Sequence, residues 1–319
     1  MTMNGYITTG LDIADETRAF NAGVAELLST QPALEDVDDA PALRAAREEG
    51  RSVFPTPVRV AEATTRTVPG RAGGVPVRVF RPDDVRGVYL HIHGGGWTLG
   101  SADSQDPLLL ELARAANVAV VSVDYRLAPE HPYPAGPDDC EDAARWLLAE
   151  AAAEFGTGRL VIGGESAGAH LAVVTLLRLG GQASAFAGAQ LTFGAYDLAM
   201  TPSQRHAQDM LVIPKGTMAW FYDQFLPGMG PEERRAPDVS PLYADLRGMP
   251  HARFSVGTQD PLLDDSLFMA ARWSAAGNEA ELEVVAEALH GFVAFPDTAG
   301  ERERAAQVAY IAGRVAGKD

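Results

Sequence analysis

The chain has 319 residues, 46% of them hydrophobic and 22% charged, the proportions of a soluble globular protein. Its net charge of −17 and pI near 4.8 argue against nucleic acid and anionic membrane surfaces, both of which need basic patches. One cysteine, Cys140, rules out an intramolecular disulfide, so no oxidising compartment is required.

Residues 1–16 hold neither a basic stretch nor an apolar one, so no signal peptide is expected. No apolar run approaches the ~20 residues of a membrane span, and a cytoplasmic location follows as the expectation. Residues 11–50 read as loosely amphipathic helices. Ala19, Phe20, Val24, Leu27 and Leu28 fall near a 3.6-residue repeat, which Pro32 and Pro41 interrupt. The acidic run at 35–39 reads as a solvated turn. Residues 1–57 thus form a helical N-terminal segment.

Strand signals begin at residue 58. The runs 58–68 and 75–80 are joined through Gly70, Gly73 and Gly74, as in an antiparallel hairpin. A strand at 87–92 ends in His93-Gly94-Gly95-Gly96-Trp97. A helix follows at 106–116, then a continuous Val/Ala strand at 118–123, the pattern of a sheet buried on both faces. Residues 137–154 read as a helix that carries Cys140 among acids, a buried position rather than a reactive one. A short strand at 160–162 leads into Gly164-Glu165-Ser166-Ala167-Gly168 and a helix at 167–179. Further strands fall at 190–193, 254–256 and 282–285, with helices at 262–275 and 302–315. Strands alternating with helices define an α/β fold, a mostly parallel sheet flanked by helices. Residues 58–196 and 243–319 are two parts of that core. Residues 197–242, with no strand pattern, read as a helical cap insertion over its catalytic face.

In such sheets, sites lie beyond the carboxyl ends of the strands. His93–Gly96, Ser166, Asp260 and His290 all follow strands. Gly164-x-Ser166-x-Gly168 between a strand and a helix is the pattern of a nucleophile elbow, a turn that exposes the serine hydroxyl. A serine needs a base, and the base an orienting acid. His290 follows the last strand, whereas His251 precedes one and so falls at the wrong end. Asp260 stands nearest its strand end and also reads as the cap of the helix beyond; Asp264 is the alternative acid. The N–H of Ala167 and the loop Gly94-Gly95-Gly96 are the candidate donors to an oxyanion, each such donor being worth ~10²–10³ in rate. Trp97, Phe20, Phe54, Trp220 and Phe221 are the candidate lining of an apolar substrate pocket.

Other chemistries fit less well. The glycine loop lacks the lysine of a phosphate-binding loop; the lysines are Lys215 and Lys318, and neither follows a strand. His91-x-His93 could place two imidazoles on one strand face toward zinc, but no further ligand cluster accompanies them. No metal and no cofactor is expected.

His93–Trp97, the run Asp124-Tyr125-Arg126-Leu127-Ala128-Pro129-Glu130, Gly164–Gly168, Asp260-Pro261-Leu262 and His290-Gly291-Phe292 together resemble the hormone-sensitive-lipase-like α/β-hydrolases, a family of bacterial esterases. The resemblance spans about residue 75 to the C-terminus. It implies an α/β-hydrolase fold and a Ser166–His290–Asp260 triad. It also implies an oxyanion hole of Gly95, Gly96 and Ala167 shaped by Gly94, a cap from residues 1–57 and 197–242, and a structural brace at 125–130. Glu165 and Ala169 stand where Asp and Gly are common. The activity implied is serine carboxylesterase action on short- to medium-chain esters. The rivals are a small-molecule receptor on the same fold, which would lack the histidine, and an amide or acetyl hydrolase of a small metabolite. A homodimer through the last strand, at 281–286, is a further expectation, because edge strands invite pairing.

Overall fold

Continuous Val and Ile runs, covered on both faces, fold here into one sheet, nine-stranded among the described residues. The computed structural model describes residues 7–316; Lys318 and the first six residues of the signal-peptide reading lie outside them. The strands are β1 (Ile7–Thr9), β2 (Thr64–Val68), β3 (Val75–Phe80), β4 (Gly87–Ile92), β5 (Val118–Val123), β6 (Leu160–Glu165), β7 (Phe186–Thr192), β8 (Ala252–Gln259) and β9 (Ala280–Leu289). Among the helices, α1 (Ala14–Ser29), α2 (Leu34–Val37) and α3 (Ala40–Glu48) precede the hairpin. Within the core lie α4 (Asp106–Ala116), α5 (Ala135–Phe155) and α6 (Ala167–Leu179). The excursion holds α7 (Pro202–Arg205) and α8 (Lys215–Phe225), and α9 (Leu263–Ala275) and α10 (Thr298–Val315) complete the chain.

The strand order is β1-β9-β8-β7-β6-β4-β5-β3-β2. From β1 to β5 all pairs are parallel, and among the described strands β3 alone runs opposite to the rest, so it pairs antiparallel with both β5 and β2. Side-chain alternation assigns the two faces. Val88, Leu90, Ile92, Leu160 and Ile162 join the core under α5, α6 and α9. Tyr89, Val118, Val120 and Val161 join the core under α4 and α10. Each residue of a central strand is therefore buried, which is why those strands read as unbroken apolar runs.

Several sequence expectations change. The first hairpin strand is only Thr64–Val68, because residues 58–63 pair with nothing in the sheet. Pro41 does not break a helix; it lies in the first turn of α3, where its missing N–H costs nothing, and Asp39 caps that turn from Ala42 N–H at 3.0 Å. The acidic run 35–39 is not simply solvated. Thr217 Oγ1 donates to Glu35 at 2.7 Å and Trp220 Nε1 donates to Asp38 at 2.7 Å, so this run ties the N-terminal helices to α8. The last core strand, β9, is not a free edge. β1 lies along it with Ile7, Thr8 and Thr9 opposite Glu283, Val284 and Val285, so the middle of the 281–286 edge expected to pair with a second copy is already paired within the chain.

Candidate active site

The elbow is built by close packing. β6 ends at Glu165, α6 starts at Ala167, and Ser166 between them has φ 55° and ψ −121°. A side chain in that region costs about 1–3 kcal/mol, held by the surrounding structure. Gly164 and Gly168 flank it because β4 lies against the turn; a Cβ at either would sit 2.0 or 1.9 Å from the Ile92 carbonyl oxygen. Ser166 N–H is anchored to the Thr192 carbonyl at 2.9 Å.

Three side chains from distant strands meet here. His290 Nε2 lies 3.0 Å from Ser166 Oγ, and His290 Nδ1 lies 2.9 Å from Asp260 Oδ2. Asp260 and His290 are buried, and Ser166 is partly open to the cavity. Phe193, forced to φ 36° just past β7, packs edge-on against the imidazole at 4.7 Å between ring centres and limits its swing. Asp260 does not cap α9. Its Oδ1 accepts from Leu262 N–H at 2.8 Å in a turn that precedes the helix, which fixes the carboxylate before α9 begins at Leu263.

The alternative acid, Asp264, faces elsewhere and accepts from Ser203 N–H at 2.8 Å. Its neighbour Asp265 is fully buried and accepts from Tyr196 N–H, Asp197 N–H, Thr201 Oγ1 and Gln204 Nε2 at 2.7–2.9 Å. That carboxylate anchors the start of the 197–242 excursion. His251 lies at the opposite end of the sheet, 3.1 Å from Tyr310 Oη.

The glycine loop carries free donors. Among the described residues, the N–H groups of Gly95, Gly96 and Ala167 meet no backbone acceptor. Gly95 has φ 119°, and a Cβ there would collide with the Leu99 carbonyl oxygen at 2.1 Å. Residues 125–130 hold the loop from outside. Tyr125 Oη donates to the His93 carbonyl at 3.0 Å, Ala128 N–H donates to the Trp97 carbonyl at 2.9 Å, and Arg44 of α3 donates to the Thr98 carbonyl at 2.8 Å.

The inner side is held by His170, which sequence reasoning missed. Trp97 Nε1 donates to His170 Nδ1 at 3.0 Å, and His170 Nε2 donates to the Val239 carbonyl at 2.8 Å. Burial pushes this imidazole down to about 4, so it stays neutral with its proton on Nε2. Its position, one turn into α6 after Ser166, was legible; its partners, from two other segments, were not. His91 and His93 also have protein partners. His91 bridges Ser122 Oγ at 2.9 Å and Glu165 Oε2 at 3.1 Å. His93 stacks on Tyr125 at 4.3 Å and is pushed down to about 3 by burial. Cys140 is buried in α5, where desolvation raises its thiol pKa.

A cavity of about 980 Å³ opens over Ser166 and His290. Gly94, Gly95, Gly96, Trp97, Phe54 and Phe221 line it. Phe20 and Trp220 do not. Phe20 packs on Phe295 at 5.4 Å, and the Trp220 indole turns outward to Asp38. Helical periodicity could not say which face of α1 or α8 looked inward. No helix among the described residues is long and apolar enough to cross a membrane.

Comparison with known proteins agrees with this architecture. A family described as alpha/beta hydrolase fold matches residues 89–294. The carboxylesterase NlhH of Mycobacterium tuberculosis is 38% identical over 231 residues, 69% of this chain and 72% of that one. The ethyl acetate hydrolase of Pseudomonas putida is 33% identical over 230 residues, 69% of this chain and 71% of that one. Among solved structures, an esterase of Pyrobaculum calidifontis superposes with a TM-score of 0.81 at 30% identity, covering 91% of this chain and 97% of that one. A hormone-sensitive lipase from a metagenome library superposes with a TM-score of 0.78 at 27% identity, covering 94% and 98%. With its sheet order, its strand-turn-helix corner and these similarities, the chain belongs to the α/β-hydrolase fold family, on its hormone-sensitive-lipase-like branch.

Proposed function

We propose that this carboxylic ester hydrolase works through Ser166, His290 and Asp260, on short- to medium-chain esters. The observation that carries the reading is the unbroken hydrogen-bond line Ser166 Oγ–His290–Asp260, at 3.0 and 2.9 Å, beside the unpaired amides of the glycine loop. His290 takes the proton of Ser166 as its oxygen attacks the ester carbonyl. Asp260 holds the proton-bearing Nδ1 and stabilises the imidazolium. Gly95, Gly96 and Ala167 N–H groups receive the oxyanion, with Gly94 shaping the loop. His290 then gives its proton to the leaving alcohol. Water, deprotonated by the same imidazole, releases the acid and restores Ser166.

Residues 11–57 and 197–242 act together as the cap, while β1 at 7–9 belongs to the core sheet rather than to the expected N-terminal cap segment. The Glu35–Thr217 and Asp38–Trp220 hydrogen bonds support this, as does the shared cavity wall of Phe54 and Phe221. Its apolar lining favours short and medium acyl chains over charged polymers. The single buried cysteine supports a cytoplasmic setting. The test is Ser166→Ala with p-nitrophenyl butyrate. Turnover should fall by about 10⁴ or more, and activity retained in a folded variant would overturn the assignment. A p-nitrophenyl ester series then sets the chain-length range.

A further inference from the structure

Among the described residues, the cavity wall holds one cation with no carboxylate within 4.0 Å. Arg47, on the last turn of α3, lines the same cavity as Ser166 and His290 and also borders a smaller cavity that Glu48, Asp103 and Asp124 line. Among the described residues, its guanidinium meets no carboxylate within 4.0 Å and no hydrogen-bond acceptor. Its neighbours are matched: Arg44 with Glu130, Arg51 with Glu49, and Arg59 with Glu48 and Asp103. The chain has 43 acidic residues against 26 basic ones, so a partner was not scarce.

The site fixes this side chain. Arg47 Nε is sealed from solvent and unpaired. The guanidinium carbon lies 5.2 Å from the centre of the Phe54 ring. Phe54 in turn presses on the loop of the base; a Cβ at Gly291 would lie 2.5 Å from that ring. Arg47 therefore sits one aromatic ring away from the residue next to His290. A guanidinium cannot shed its proton at neutral pH, and a partly desolvated charge without a partner lowers stability. The other ionisable groups on the cavity wall are already engaged. Arg51 pairs with Glu49, Glu165 with His91, and His290 with Asp260.

We propose that the cavity takes esters bearing a carboxylate remote from the scissile bond, with Arg47 as the residue that receives it. This rests on the ester-hydrolase reading of the Ser166 site. A guanidinium fork matches a carboxylate bidentately, and the apolar wall around it strengthens the pair. The carboxylate can belong to the acyl part, as in a half-ester of a dicarboxylic acid, or to the alcohol part.

Two matched pairs of esters test this by titration of released acid. Monoethyl adipate against ethyl hexanoate tests the acyl part, and 3-butanoyloxybenzoate against phenyl butanoate the alcohol part. In at least one pair, the native enzyme should process the anionic ester as well as or better than the neutral one. Arg47→Met should lower that anionic-to-neutral ratio of kcat/KM by about 30-fold or more, and Arg47→Lys by less. A change in ratio below about 3-fold in Arg47→Met would overturn the proposal. Should that variant not fold, the native enzyme decides. A preference for the neutral ester above about 10-fold in both pairs, the outcome expected if a carboxylate had to be buried without a partner, also overturns it. If none of the four esters is hydrolysed and p-nitrophenyl butyrate also survives, the ester-hydrolase reading itself fails.

Discussion

Two buried histidines should each make this protein less stable in acid, while the buried Asp265 carboxyl, pushed up to about 7 by desolvation, works in the opposite sense. Burial pushes His170 down to about 4 and His93 down to about 3, whereas an unfolded histidine titrates near 6.5. Both are neutral in the folded protein at neutral pH. The unfolded chain takes up protons below about pH 6.5 and the folded one does not, so stability is full above that pH and is lost as the pH falls toward the folded values. At pH 5 each histidine costs about 2 kcal/mol relative to neutral pH. The pair thus removes about 4 kcal/mol from a typical 5–15 kcal/mol. Urea unfolding followed by the fluorescence of the four tryptophans, at pH 7.5 and pH 5.0, measures the loss. Other groups also titrate in this range, so the decisive quantity is a difference between proteins. His170→Gln can still accept from Trp97 Nε1 and donate to the Val239 carbonyl, but it has no proton to take up. Its acid-induced loss should be smaller than the parent's by about 2 kcal/mol. Losses equal within about 0.5 kcal/mol would refute the reasoning.

Four further outcomes follow from single contacts. Asp260→Asn should cut kcat by about 10⁴ by stabilising the wrong imidazole tautomer, whereas Asp264→Asn, whose partner is Ser203 N–H, should leave steady-state rates near the parent's. Gly168→Ala drives a Cβ to 1.9 Å from the Ile92 oxygen, so thermal melting should show a loss of about 1–3 kcal/mol or more. Asp265→Ala removes the acceptor shared by four buried donors and strands at least the Tyr196 and Asp197 N–H groups; unfolding free energy should fall by about 3 kcal/mol, and limited proteolysis should cut faster between residues 197 and 214. Tyr125→Phe removes the hydroxyl that holds the His93 carbonyl, at about 1 kcal/mol of stability, and kcat should drop more than KM rises if that bond positions the glycine loop.

What the chain by itself determined was everything carried by neighbouring residues. The bounds of β4, β5, α4 and α6 coincide with the sequence reading, because unbroken Val/Ile runs and amphipathic spacing are local signals. Gly164-x-Ser166-x-Gly168 announced its corner for the same reason: the backbone requirement and the residues that meet it are adjacent. Only the tertiary structure decided the rest. β1 joined β9 across more than 270 residues, and three residues are too short for a period. Glu35 and Asp38 looked like solvent-facing acids until α8 supplied Thr217 and Trp220. Phe20 and Trp220 belonged to the right segments but faced away from the cavity, since the inward face of a cap helix depends on what lies beneath it. His170 and Arg47 carry no motif at all. The first matters because two segments bring it an indole and a carbonyl, and the second because none of the described residues brings it a carboxylate within 4.0 Å. Local patterning specifies elements and turns, while the partners of an isolated polar side chain are set by the packing of segments that are remote in the chain.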